Sequence, residues 1–284
     1  MVKVNSPIGV IKGRAGNMSF FEVNGEVIGR SFPSQYKNPK TPAQMRQRIK
    51  MNNILNMYKY IKGYLKQNFE GIIGNKNASS FFRSYNLMKT PVWLTKEQKE
   101  SYKFVLAPYV VSQGRITSVG YEYKDSAFIS DISVGDIAIN DETEENLLAS
   151  AICANNEGWS NNDTLQIILL KQKSTLSKNN DIDHPMCFSF VITLDKSSRT
   201  RVCDIPALET LSHLSRISLC AIDGKLAVKV SDTKEYSYAF SIVHSRGEGR
   251  EKINSSQQLC LSDTSLFESY CSNETFDKAF ESYK

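Results

Sequence analysis

The chain has 284 residues, 40% of them hydrophobic and 23% charged, with a formal net charge of +5; that balance belongs to a folded chain rather than a disordered one. It holds no uncharged run of about 18 apolar residues, the length a membrane-crossing helix needs, and its opening "MVKVNSPIGVIKGRAGN" has no apolar signal-peptide core. The expected setting is therefore the cytoplasm or a virion assembled there, with no membrane partner.

The charge is unevenly spread. Residues 1–103 hold 18 Lys+Arg against 5 Asp+Glu, and the remaining 181 hold 17 against 25. This predicts two domains: a basic one over 1–103, suited to an anionic partner, and a mainly β one over 104–284.

In chain order, "GVIKGRAGN" reads as a flexible basic loop, with Gly13 and Gly16 bracketing Arg14. "NMSFFEVNGEVIGRSF" follows as a β-hairpin, because Asn24-Gly25 suits a tight type I′ turn between strand-forming residues. Pro33 and Pro39 keep the next stretch extended. Thr41-Pro42-Ala43-Gln44 then combines capping-box spacing with proline at the first helical position. The helix it starts is expected to run to about residue 68, since Met51, Ile54, Tyr58, Ile61, Leu65 and Phe69 share one apolar face. Arg48, Lys59, Lys62 and Lys66 share a neighbouring stripe about 60° wide on the same helical geometry. "SSFFRSYNLM" and "TKEQKESYK" read as two shorter helices.

From about residue 105 the period changes to two. "TLQIILLKQ", "CFSFVITLD", "RISLCAI", "KLAVKV" and "YSYAFSIVHS" are strand-like runs, and Asp223-Gly224 is a second hairpin turn. "DETEENLLASAIC" interrupts them as a helix, and "ETFDKAFESY" closes the chain as another. The expected fold class is α+β: an N-terminal β-hairpin plus helices, followed by an antiparallel β-sandwich of immunoglobulin or fibronectin type III kind over roughly 105–262.

"GRAGNMSFFEVNGEVIGRSF", "KNPKTPAQMRQR", "YVVSQGRI", "AFSIVHSR", "INSSQQLCLSD" and "AFESY", in this order, resemble an uncharacterised family of Bacteroidota genomes and of gut Bacteroidota phages, including crAss-like phages. The resemblance spans most of the chain and is most specific in Thr41-x-x-Gln44-x-x-Gln47-Arg48. It implies a phage or mobile-element protein with a structural or nucleic-acid role. Asn38-Pro39-Lys40-Thr41 is also similar to the DNA-bending arm of HU and IHF proteins, where the proline wedges between base pairs. Here a helix follows in place of a returning strand, and proline ahead of a helix needs no DNA to explain it.

Chemistry is sparsely signalled. His184, His213 and His244 have no zinc-ligand spacing, and His244 shares a strand face with Tyr236, Tyr238, Phe240 and Ile242, which predicts a packed histidine. "DIDH" at 181–184 reads as a polar turn with weak cation potential, and "SRGEGREK" as a loop lacking the order of a nucleotide-binding motif. The six cysteines form no C-x-x-C pair and read as reduced structural thiols. No enzyme, metal or cofactor is expected. The candidate phosphate-contacting residues are Arg14, Arg30, Lys37, Lys40, Arg46, Arg48, Lys59, Lys62 and Lys66, with Lys50 beside them. Gln44, Gln47, Asn52 and Asn53 are candidates for base-edge hydrogen bonds, and Phe32 and Tyr36 for stacking. The expected partner is DNA or RNA. The alternative is a virion assembly protein whose basic domain contacts other phage structural proteins or copies of itself.

Overall fold

The computed structural model describes residues 2–3, 12–23, 26–31, 39–71, 78–89, 91–140, 142–174, 181–205, 217–249 and 251–284. Near the N-terminus, β1 (Val2–Lys3), β2 (Gly13–Ala15), β3 (Met18–Val23) and β4 (Glu26–Ser31) form an antiparallel sheet in the order β1-β4-β3-β2. Strands β3 and β4 pair from Met18↔Ser31 to Val23↔Glu26, as the predicted hairpin requires; its Asn24-Gly25 turn lies outside the described residues. The predicted loop around Arg14 is instead a strand. Ala15 pairs with Met18, and Gly16 takes the positive φ of 55° that the first central position of a two-residue hairpin turn demands.

Helix α1 (Pro42–Ile61) begins at the predicted proline but ends seven residues short of the expected 68. Gly63, which weakens a helix interior by about 1 kcal/mol relative to alanine, sits in the turn that replaces it. Leu65 and Phe69 still reach the core, at 0% and 2% exposure. They do so from turns closed by Tyr64 N–H to Ile61 O and Asn68 N–H to Leu65 O. The apolar period thus continues past the helix that first carries it. Helices α2 (Ala78–Asn86) and α3 (Lys96–Glu100) follow. The Thr95 side chain caps α3, and Gln98 reaches back to the Thr95 backbone, a complete capping box.

The remaining elements are β5 (Val110–Ser112), β6 (Tyr121–Lys124), β7 (Ala127–Ser133), α4 (Glu145–Asn155), β8 (Thr164–Lys173), β9 (Met186–Thr193), β10 (Ser218–Ile222), β11 (Lys225–Lys229) and β12 (Tyr236–Arg246). After them come β13 (Ile253–Asn254), β14 (Gln257–Gln258), β15 (Cys260–Leu261), α5 (Ser265–Ser269) and α6 (Asn273–Ser282). One sheet runs β10-β11-β7-β6; another runs β13-β12-β8-β9 with β15 also on β12, and β14 pairs with β5. All the strand pairings are antiparallel. Asp223 and Gly224 both take positive φ, 50° and 69°, in the predicted turn. Asp125 and Ser126 do the same between β6 and β7, a turn that carries no glycine to announce it.

Strands β8 and β12 are buried on both faces, which is why both carry apolar residues at consecutive positions, Ile167–Leu170 and Tyr238–Phe240. Leu165, Ile167 and Leu169 with Tyr238, Phe240 and Ile242 face the other sheet and pack on Phe128, Ile132, Leu226 and Val228. Ile168, Leu170, Ala239 and Val243 face the opposite way, into a core shared with Ile54, Met57 and Ile61 of α1 and Phe82 of α2. The result is three layers: two antiparallel sheets in sandwich-like apposition and a layer of helices over one of them. A smaller cluster joins Met45 and Ile49 of α1 to Trp93 and to Phe276 and Ala279 of α6.

This layering moves the boundary. Contacts divide the chain into Met1–Thr41 and Pro42–Lys284, whereas composition marks a change at 103/104. The segment from 42 to 103 covers its apolar face with the sheet and with α6, so it belongs to the larger unit. The charge asymmetry runs inside that unit: residues 42–103 carry 12 Lys+Arg and 3 Asp+Glu.

Among the described residues, no helix is long and apolar enough to cross a membrane. The six cysteines carry free thiols. Burial pushes Cys187 up to about 12, and burial with nearby Glu268 pushes Cys271 up to about 11; both stay in the unreactive thiol form at neutral pH.

Candidate functional site

In the N-terminal unit, Arg14 pairs with Ser19 and Ser19 with Arg30. Directly opposed residues of adjacent strands share a face, so the two arginines stand in one row across β2, β3 and β4, both exposed. Phe20 and Phe21 lie half-buried on the two faces of β3. Lys40 is exposed and holds φ at 47° just ahead of Pro42. Lys37, Phe32 and Tyr36 lie outside the described residues.

In the larger unit, Arg48, Lys59, Lys62 and Lys66 all reach solvent. None of the four has an acidic partner among the described residues. Lys62 and Lys66 lie beyond the end of α1, so the predicted helical stripe is a helix face continued by a turn. Three tyrosines of the same layer are also exposed: Tyr60, Tyr64 and Tyr102, at 46%, 37% and 58%. Lys59 Nζ stands 4.5 Å from the centre of the Tyr102 ring, a cation–π contact that pre-positions both groups. All three lie after the midpoint of α1, at positions not among the stacking candidates Phe32 and Tyr36.

Three candidates make contacts within the fold. Arg46 lies over the Phe276 ring at 4.2 Å and the Trp93 ring at 5.6 Å, and donates to Asn273 Oδ1 at 3.4 Å. Its planar guanidinium lies over the aromatic cluster that docks α6, while the residue stays exposed. Asn52 donates to the Tyr283 hydroxyl at 2.8 Å. Asn53 is fully buried, donating to Val105 O at 3.0 Å and Tyr109 Oη at 3.1 Å and accepting from Val105 N at 2.8 Å. Neither asparagine is available to a base. Gln44, Gln47 and Arg48 remain on the exposed side of α1, with Lys50 half-buried.

The asparagines act inside the fold. Residues 104–107 are buried outside any strand, and buried backbone polar groups require partners. Asn56 takes the carbonyls of Lys99 and Lys103. Gln172 takes Phe104 O and accepts from Leu106 N, and Asn86 binds both polar backbone groups of Val110. Side-chain amides replace a sheet ladder along this segment.

A second polar cluster lies at the end of β12. His244, 2% exposed, bonds through Nε2 to Asp163 Oδ2 at 2.8 Å and stacks on Trp159, with ring centroids 3.8 Å apart and planes at 4°. Arg246 closes a two-point fork on the same carboxylate, Nε to Oδ1 and Nη2 to Oδ2, both 2.8 Å. Burial alone would raise the Asp163 carboxyl. Bonds from Arg246, His244 and the Ser160 amide outweigh it and bring the group down to about 2. The carboxylate is thus ionised and His244 Nε2 carries the proton. Arg246 also donates to Gly158 O, tying the 158–163 loop to the strand. The predicted packed histidine is packed, beside a cleft of about 330 Å³ that its ring and Trp159 help to line.

His184 is exposed, Asp181 pairs with Lys103, and His213 lies outside the described residues. Among the described residues, no group of three or more His, Cys, Asp or Glu is placed to hold a metal ion. No protein-family model, curated protein or solved structure matches the chain.

Proposed function

We propose that the protein is a non-enzymatic nucleic-acid-associated protein that takes single strands on its helical layer. The observation that carries this reading is the set of exposed cations Arg48, Lys59, Lys62 and Lys66, none with an acidic partner among the described residues, in a layer that also exposes Tyr60, Tyr64 and Tyr102, the last in contact with Lys59. Cations neutralise successive phosphates and release counterions, and aromatic faces accept unstacked bases of any identity. The row of Arg14 and Arg30 gives the N-terminal unit a second, separate basic surface. The phage or mobile-element origin implied by the resemblance of the sequence suits such a role.

The experiment is oligonucleotide affinity across a salt series with the full chain. Single-stranded binding is expected to fall steeply with salt. The Arg48→Glu, Lys62→Glu, Lys66→Glu variant is expected to flatten the log–log slope by about 2, at about 0.7 per phosphate contact on a single strand. Tyr102→Ala is expected to weaken binding by about 1–3 kcal/mol with no change of slope, because a stacking contact releases no counterions. Binding that ignores salt, or that is the same in the charge-reversed variant, would assign the surface to protein–protein assembly instead.

A further inference from the structure

Beyond the end of α1, a pocket of about 340 Å³ lies between the 64–68 turn and strands β8 and β9. Tyr64 and Val191 give it an apolar wall, both of them well exposed. Lys66 and Lys252 bring two cations, and no Asp or Glu is among its lining residues. Asn68 also lines it; this side chain is 2% exposed, and its Nδ2 has no hydrogen-bond partner. A buried donor left unpaired is rare in folded proteins and calls for an explanation. Gln166 Nε2 bridges the Tyr64 carbonyl and Ser189 Oγ, which fixes the tyrosine's backbone at the rim. Burial lowers the Lys252 pKa, and an anion placed beside the ammonium would favour its charged form. Two ammonium groups beside an aromatic wall match an oxyanion attached to a flat ring.

We propose that this pocket binds a phosphomonoester of mononucleotide size, with Lys66 and Lys252 on the phosphate and the base against Tyr64. The inference rests on the single-strand reading only for its source, since a strand with a terminal phosphate and a free nucleotide present the same group. It differs from the open surface in being one discrete site that asks for a dianion.

The test uses the full chain at low salt. The thermal midpoint is measured with AMP, with adenosine and with inorganic phosphate, and affinity is measured for one oligonucleotide with a terminal phosphate at either end or with hydroxyl ends. AMP is expected to raise the midpoint and adenosine to leave it unchanged, with inorganic phosphate in between. The phosphorylated strand is expected to bind about tenfold more tightly than the hydroxyl-ended one, the effect of about 1.4 kcal/mol. Lys252→Gln should abolish both differences and leave the hydroxyl-ended strand's affinity as it was. Stabilisation by AMP without binding of either strand would keep the pocket and overturn the surface. Equal affinity of the strands with no effect of AMP would overturn the pocket and keep the surface. An AMP effect that survives Lys252→Gln would also overturn the assignment.

Discussion

Asp163→Ala is expected to lower the unfolding free energy by about 3–5 kcal/mol, the usual consequence of removing one partner of a buried charged cluster. The substitution leaves the Nε2–H of His244 and the Ser160 amide without the acceptor they share, and it releases Arg246 from its fork. Arg246→Ala should do less, because that side chain is 41% exposed and water can replace part of what it loses. The carboxyl also sets a pH dependence. Its folded pKa of about 2 lies below the ordinary value near 3.9, so the unfolded chain binds more protons between these limits. The stabilisation is complete above about pH 4 and disappears as pH falls through about 2, a loss on the order of 2 kcal/mol. Urea midpoints at pH 2.5 and pH 5 should show this extra acid lability in the native chain and lack it in Asp163→Ala. An equal acid response in both would place the perturbed group elsewhere.

The second large effect is at Asn53. Asn53→Leu keeps the branched shape at a larger volume and removes three hydrogen bonds, stranding the Val105 N–H, the Val105 carbonyl and the Tyr109 hydroxyl in the core. At about 1–3 kcal/mol for each buried group left unsatisfied, the expected loss is on the order of 4 kcal/mol. Gln47→Leu, on the exposed side of the same helix, should change stability by less than about 0.5 kcal/mol. Denaturant midpoints of the two variants decide the matter. Similar losses would mean that Asn53 does not clamp the 104–107 segment as its bonds imply.

These asparagines show where the residue pattern was legible and where it misled. Met45, Ile49, Asn53, Asn56 and Met57 recur at three- and four-residue steps on α1, and all five are buried. The period was present, but polar side chains on it look like a surface face unless their partners are known, and those partners are 43 to 56 residues away in the chain. The strands were readable because double-sided burial gives β8 and β12 apolar centres, Ile167–Leu170 and Tyr238–Phe240 with Ile242–Val243. The start of α1 was readable from Pro42. Its end was not, because Leu65 and Phe69 keep helical spacing while the backbone runs through turns. The charge step at 103/104 marked a layer rather than a domain, since helices that share a core with a sheet can still differ from it in surface charge. Of the candidate site, the cations Arg48, Lys59, Lys62 and Lys66 were readable as a stripe. The packing of Arg46 on Trp93 and Phe276 was not readable, because those rings arrive from distant segments. Asp163 and His244, 81 residues apart, had no local signature.

Lysine-acetylation footprinting with and without a bound single-stranded oligonucleotide tests the central claim most directly. Protection is predicted at Lys59, Lys62 and Lys66, with Lys124, Lys196 and Lys225, exposed on the sheet layers, reacting equally in both states. Unchanged reactivity at the first three, or protection centred on the second three, would contradict a nucleic-acid face on the helical layer.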